Sequence, residues 1–308
     1  MIEVPFKPEN FSKEMKPKIS GMNLSLEYYN IESSLLKVGK QISRIISQKL
    51  YDRLVTSFFG TPEEVELTAI DYLQRAMLHF TIYEHKIYIV LDISNDGITT
   101  KKTDTETTAF KYQEDELVDN LLSTAWFWMD SLIQYLNEHI ADFPEWGESQ
   151  QKKDYDDLPI TLDDFNKWVG VEFAGGEYFI MYASWIIREV WLDCVLSRDK
   201  EPKKTDAIAR AVCYEVMGRA CQRLAYNCLP SPIRKDINNE MGKNHAAQAD
   251  KDIREKVSSK FLSQATTYWN VVDMEYKKKA IAEQRKTQLS QPIIGKTDIK
   301  ENDKFCFS

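Results

Sequence analysis

YLQRAMLHFTIYEHKIYIVLDIS at residues 72–94, NDGITTKKTDTETTAFKYQ at residues 95–113 and an amphipathic run closing on Phe143-Pro144-Glu145-Trp146 decide the fold of this chain. The first piece has helical periodicity, although the continuous apolar run Ile87–Leu91 also suits a strand. Asn95-Asp96-Gly97 is a turn signal. Beyond it, Ile98–Lys102 and Thr107–Tyr112 are rich in Thr and flank a polar Thr103–Glu106 turn, which predicts a β-hairpin over about 95–112. Such a hairpin is too polar to form a core and marginal alone in water, so it has to lean on helices or on another subunit. Glu114-Asp115-Glu116 then opens a helix with acids placed well for its dipole. On a helical wheel Leu117, Leu121, Ala125, Trp128, Leu132 and Tyr135 fall within about 80°. Val118, Leu122, Met129, Ile133, Leu136 and Ile140 widen the apolar arc to about 160°, enough for two neighbours. Phe127 stands outside the arc, on the side of Ser123, Asp130 and Gln134.

Working outward toward the N-terminus, Thr61-Pro62-Glu63-Glu64 reads as a cap, a first-turn proline and dipole-matched acids. The helix it starts should bury Leu67, Ile70, Leu73, Met77 and Phe80. From Leu24, apolar residues at spacings of three and four (Leu35, Val38, Ile42, Ile45, Ile46, Leu50) predict a helical run stopped by Gly60. Residues 1–21 carry Pro5, Pro8 and Pro17 among charges, which predicts an extended arm with Phe6 and Phe11 as docking points.

Toward the C-terminus, residues 147–164 read as a polar linker, either a boundary or a projecting loop, and Phe165–Gly176 as irregular. Phe179–Leu196 is apolar almost all round and hence a central helix, whose Arg188 and Glu189 need partners or a solvated edge. Ala207–Leu229 is helical and stopped by Pro230 and Pro232, while residues 233–250 carry little pattern. Ile253, Val257, Phe261, Ala265, Tyr268, Val272 and Tyr276 mark a final helix ending at Lys277-Lys278-Lys279. Residues 288–308 form a tail with Ile293, Ile294, Phe305 and Phe307 as sparse anchors. The expected fold is mostly α: a helical bundle over 22–287 with an inserted β-hairpin and extended arms at 1–21 and 288–308.

Composition agrees with this architecture. Only 11 Gly and 10 Pro in 308 residues favour long helices over many tight turns. A net charge of −8 speaks against a dedicated nucleic-acid binder. Five Cys with no Cys-x-x-Cys pair suit reduced thiols rather than a disulfide framework. No apolar stretch of about 18 residues occurs, and the N-terminus lacks an apolar signal region, so a cytoplasmic, non-membrane protein is expected.

Catalytic motifs are absent. Gly170 and Gly175 have Walker-like spacing but are followed by Gly176-Glu177 instead of Lys and Ser/Thr. None of His79, His85, His139 and His245 has a Glu three residues before it, so the helical di-iron pattern is missing. Asp154, Asp156 and Asp157 lack the glycine of a calcium loop. Cys213, Cys221 and Cys228 share a helical face and read as core thiols rather than metal ligands. No catalytic residue, metal ligand or cofactor is assigned.

Arg75-Ala76-Met77-Leu78-His79-Phe80, Asp96-Gly97-Ile98, Thr107–Gln113 and Phe143-Pro144-Glu145-Trp146, with Ile186–Val190 later, resemble in that order a family of virion-associated proteins of Bacteroides phages and prophages, including crAss-like phages. The resemblance spans roughly residues 65–230 and departs from shorter members through the long final helix and tail. It implies a non-enzymatic subunit of a head–tail connector ring below the portal, commonly twelve-fold, located in the virion neck and in host cytoplasm during assembly. Portal, neck and tail proteins are the implied partners, with no sequence-specific nucleic-acid binding and no membrane. Interface roles then fall on Ile98, Thr100, Lys102, Thr107, Phe110, Tyr112, Phe127 and Trp146, on Phe6 and Phe11, and on Ile293, Ile294, Phe305 and Phe307. Two other classes remain open: an α-helical enzyme with an unfamiliar site around Asp154–Asp164, and a cytosolic scaffold or regulator.

Overall fold

The N-terminal residues give the first departure from expectation. The computed structural model describes residues 3–19, 27–94, 97–100, 111–169, 176–243 and 249–290. Residues 3–19 do not form an extended arm. Pro8–Asn10 is a 3-10 turn, Phe11–Met15 is a short helix (α1), and Val4, Phe6, Phe11, Met15 and Ile19 belong to the main core. Phe6 meets Phe11 edge-on at 5.6 Å and Phe11 meets Tyr28 at 5.7 Å. Prolines leave this segment without helical partners for its carbonyls. Side chains of the body supply them: the Tyr51 hydroxyl donates to the Glu3 carbonyl at 3.0 Å, and the Gln74 amide donates to that of Pro5.

Tyr28–Ile46 (α2) and Gln48–Phe59 (α3) follow, separated at Ser47, whose φ of 74° bends the chain and whose hydroxyl accepts from Leu50 N–H at 3.3 Å. Gly60 ends α3, and Glu64–Val90 forms α4, so Ile87–Val90 is helix and not strand. Leu67 is 53% exposed, against expectation. The buried position of that first turn belongs to Glu66, which accepts from Arg53 Nε at 2.9 Å and from Glu63 N–H at 3.1 Å. Ile70, Leu73, Met77 and Phe80 are buried as expected.

Leu91–Ser94 (β1) and Gly97–Thr100 (β2) pair antiparallel, Leu91 opposite Thr100 and Ser94 opposite Gly97. This short ladder is not the predicted hairpin of 95–112, which the structure does not support. Ile98–Thr100 pair backward to β1, and Lys111 and Tyr112 already begin a helix; Lys102, Thr107 and Phe110 lie outside the described residues. Threonine-rich sequence carried a strand signal there, but helix α5 (Lys111–Glu138) starts earlier than its acidic first turn indicated.

Leu121, Leu122, Ala125, Met129, Leu132, Ile133 and Leu136 of α5 are buried, each contributing about 1–3 kcal/mol of apolar burial. Leu117 and Ile140, on the same predicted arc, are 50% and 44% exposed, because they sit at the ends of the packed run. Pro144–Gly147 makes the short α6, and the supposed linker is structured. Gln150–Asp156 (α7) is capped by Ser149, whose hydroxyl accepts from Lys152 N–H at 3.0 Å, and Leu162–Val169 forms α8. Leu158, Ile160 and Phe165 anchor this stretch in the core, so it is neither a boundary nor a projecting loop.

Gly176–Val190 is α9, continued by a π-helical segment at Trp191–Leu196. Asp206–Arg223 (α10), a 3-10 turn at Tyr226–Cys228, Ser231–Lys243 (α11) and the 42-residue Ala249–Ser290 (α12) complete the described elements. Two helix pairs dominate the packing, α4 with α5 and α10 with α12. Gly218 permits the second approach: a Cβ there would lie 2.5 Å from Leu262 Cδ2 and 2.6 Å from its Cγ. Helix α9 joins the pairs through Tyr178 and Phe179, which pack on Trp126 at 5.2 and 6.4 Å. One core runs from Val4 to Val272.

Candidate functional site

Several titratable groups are buried in the body. Asp119, Ser123 and Asp130 recur along one side of α5, the side that sequence patterning leaves to solvent. Structure covers most of it. Arg234 of α11, fully buried, donates to Asp119 Oδ1 at 3.0 Å, to Ser123 Oγ at 2.9 Å and to the Leu229 carbonyl at 2.6 Å, with Ser231 Oγ donating to Asp119 Oδ2 at 2.8 Å. Burial lowers the Arg234 pKa, and the Asp119 charge opposes that shift. Every strong donor and acceptor of the pair is engaged, which is the arrangement of a structural clasp.

Asp130 lies further along the same helix and is 9% exposed. Its carboxylate accepts from Tyr178 N–H at 2.8 Å and Glu177 N–H at 3.2 Å, capping the first turn of α9 from another helix. Burial pushes its pKa up to about 7, the backbone donors hold it back, and the nearby Glu177 charge raises it further. Glu177 in turn accepts from the Tyr155 hydroxyl. This is the nearest approach to an acid–base constellation, yet both Asp130 oxygens are committed to backbone amides.

Burial raises the thiol pKa values of Cys194 and Cys213, and lifts Cys221 to about 12 and Cys228 to about 11, so none is a thiolate nucleophile near neutrality. His79 is buried and its Nδ1 donates to the Arg75 carbonyl at 2.7 Å, with burial lowering its pKa. Arg188 pairs with Asp154 at 3.0 Å, and Glu189 with Arg223 at 2.7 Å and with Arg219, so both charges inside the predicted central helix have partners. Asp164 binds Lys204 and accepts from Thr161 N–H at 2.8 Å, so the Asp154–Asp164 region is tied up in local structure. Among the described residues no group of three His, Cys, Asp or Glu could hold a metal, and no helix is long and apolar enough to cross a membrane.

The surface is more informative. Of the expected interface residues, Phe127 is 52% exposed, its ring edge-on to Trp128 at 5.0 Å. Trp146, Phe6 and Phe11 are buried in their own chain and present no surface: Trp146 Nε1 donates to Asn137 Oδ1 at 2.9 Å, and the Phe pair packs under α2. Ile98 and Thr100 stand in β2 and Tyr112 in the first turn of α5. Ile293, Ile294, Phe305 and Phe307 lie outside the described residues.

Sequence reasoning missed the surface that stands out. Helix α12 does not end at Lys277-Lys278-Lys279 but continues to Ser290. Its buried face, from Ile253 and Val257 through Ala265 and Trp269, ends at Val272. Every described side chain from Lys277 to Thr287 is exposed. At about 1.5 Å per residue the stretch from Lys277 to Ser290 spans about 21 Å. It carries Lys277, Lys278, Lys279, Arg285 and Lys286 against Glu283 alone, inside a chain of net charge −8. Val271, Met274 and Ile281 expose an apolar stripe roughly opposite the buried face. The signal was in the sequence, since the helical composition runs on past the lysine triplet without Gly or Pro up to Gln291.

A family model matches residues 42–156 and 194–279, from the second half of α2 through α7 and from the π-helical segment into α12. The N-terminal segment, α8, α9 and the last turns of α12 fall outside the match. No curated protein and no solved structure matches the chain. By the extent of that match the chain belongs to the family described as "Family of unknown function (DUF6712)".

Proposed function

We propose that this chain is a virion structural protein, the subunit of a head–tail connector ring below the portal of a phage, through which DNA passes and to which the tail attaches. The observation that carries the reading is the exposed end of α12, a charged stretch of about 21 Å whose side chains from Lys277 to Lys286 are all exposed. A helix that long has little reason to persist in water without something to lie against. The reading also rests on the family resemblance carried by Arg75–Phe80, Asp96–Ile98 and Phe143–Trp146. The segment between α4 and α5, residues 91–110, and the tail at 288–308 are proposed as further contacts to neighbours, portal or tail. Phe127 belongs with them as an exposed aromatic. The net charge of −8 is compatible with passage, since DNA moving through a channel must not be held there by its phosphates.

The test is twofold. Sedimentation and negative-stain imaging of the purified full chain should give closed rings, for which twelve copies is the expectation from the resemblance. Mass spectrometry of purified particles should find the chain in the mature virion, with imaging locating it in the neck. A chain that stays monomeric or dimeric at high concentration and is missing from particles refutes the connector reading and favours a scaffold or regulator.

A further inference from the structure

The contact that closes such an assembly can be sought in charges that find no partner among the described residues. Lys277, Lys278, Lys279, Arg285 and Lys286 have no ion-pair partner among the described residues. Their helix exposes Met274 and Ile281, seven residues apart and so on one side, with Lys278 between them. A surface of this kind, apolar along its middle and basic at its margins, needs an occupant that is apolar at its centre and acidic around it.

The chain carries one such surface where α5 ends. Ile140 is 44% exposed. A Cβ placed on Gly147 would lie 3.0 Å from Ile140 Cγ1, so the chain folds back to bring the start and end of residues 138–148 together around this side chain. Phe143 N–H donating to the His139 carbonyl at 3.2 Å and Trp146 Nε1 donating to Asn137 fix that knot in place. Glu138, Asp142 and Glu148 are exposed around it. Glu138 and Glu148 have no ionic partner among the described residues, and Asp142 has only the His139 ring at 3.3 Å. Arg53, the nearby strong cation, is held between Glu66 and Glu145, both at 2.9 Å. The knot thus combines an exposed apolar centre with uncompensated acids, on a base held rigid by the buried Phe143 and Trp146.

We infer that the free end of α12 of one copy, Met274–Lys286, lies across the Ile140 knot of the next copy, with Ile281 or Met274 on Ile140 and the lysines on Glu138, Asp142 and Glu148. The occupant is a second copy of this chain, and the inference rests on the proposed self-assembly. The two surfaces differ, so the contact is heterologous and repeats head to tail, the type that closes into a ring. Because both surfaces are exposed, the attraction weakens as salt screens it beyond a Debye length of about 8 Å at physiological ionic strength.

A charge exchange in the full-length protein tests this. One variant carries Lys277→Glu, Lys278→Glu and Lys279→Glu; the other carries Glu138→Lys, Asp142→Lys and Glu148→Lys. All six positions are exposed, and circular dichroism should confirm that both variants fold. Sedimentation should show each variant self-associating at least about tenfold more weakly than the wild type, with assembly recovered when the two are mixed. If both variants assemble as the wild type does, this contact is wrong while the ring reading stands. Loss in one variant only, or no recovery on mixing, also overturns it. A wild-type chain that never self-associates sinks both the contact and the ring. A short DNA duplex of random sequence, titrated by fluorescence anisotropy, covers the other occupant of a basic helix: binding abolished by the lysine reversals while assembly is untouched would assign α12 to phosphates and refute the contact.

Discussion

Replacing Arg234 by Met removes the charge that holds α11 to α5 while keeping a flexible side chain of similar length. Arg234 is fully buried and bonds Asp119, Ser123 and the Leu229 carbonyl. Asp119, itself buried, is then left with Ser231 Oγ at 2.8 Å and Lys235 Nζ at 3.5 Å. Breaking a buried pair by deleting one partner costs about 3–5 kcal/mol, mostly the penalty of the stranded charge. The surviving Ser231 and Lys235 place Arg234→Met near the lower end, about 3 kcal/mol. For a chain of 308 residues that corresponds to a fall in melting temperature of about 5 °C. The double variant Arg234→Met/Asp119→Leu removes both charges and should regain at least half of the loss, since hydrophobic replacement of a whole buried pair is near neutral. Urea unfolding followed by circular dichroism measures both. A single variant that loses less than about 1 kcal/mol, or a double variant no better than the single, refutes the clasp.

Asp130 supplies a pH signature. Its folded pKa of about 7 lies above its unfolded value near 3.9, so its contribution is fully present at low pH and is lost as pH rises through about 7. Stability of the wild type should therefore contain a falling component of about 1–4 kcal/mol between pH 4 and pH 7 that is absent from Asp130→Asn, read from urea midpoints across that range. At the α10–α12 contact, Gly218→Val should cost about 1–3 kcal/mol by driving Leu262 from its site, and Leu262→Ala in the same chain should restore part of it. Thermal scans of the three proteins decide whether the helices truly meet at that glycine.

Much of the helical skeleton was legible because its residues declare a face locally. Leu121, Ala125, Leu132 and Met129 mark the inside of α5 by spacing alone, and Ile70, Leu73 and Met77 do the same for α4. What was not legible depends on partners distant in sequence. Asp130 read as lying outside the apolar arc with Phe127, since nothing near it announces the amides of Glu177 and Tyr178, and nothing near Asp119 announces Arg234. Phe6 and Phe11 read as points on an arm because the groups that hold their segment, Tyr28 against Phe11 and the Gln74 amide on the Pro5 carbonyl, lie beyond any local window. Trp146 was read as a contact for neighbours, yet it is the floor of the knot at the end of α5. The free end of α12 was cut short by a sound rule applied too early: cations do suit a helix C-terminus, but a lysine triplet does not end a helix that lacks a breaker.

The two acids on α5 bear on how the chain matures as it is made. Asp119 and Asp130 are synthesised well before the groups that neutralise or bind them, their partners following 115 and 47–48 residues later. In the interval these carboxylates lack the donors that α9 and α11 later bring. Hydrated acids there keep a half-made protein soluble and leave the place open, and each arriving helix replaces their water with its own donors. The stripe thus serves first as a guard against premature sticking and afterwards as the seat on which α9 and α11 come to rest.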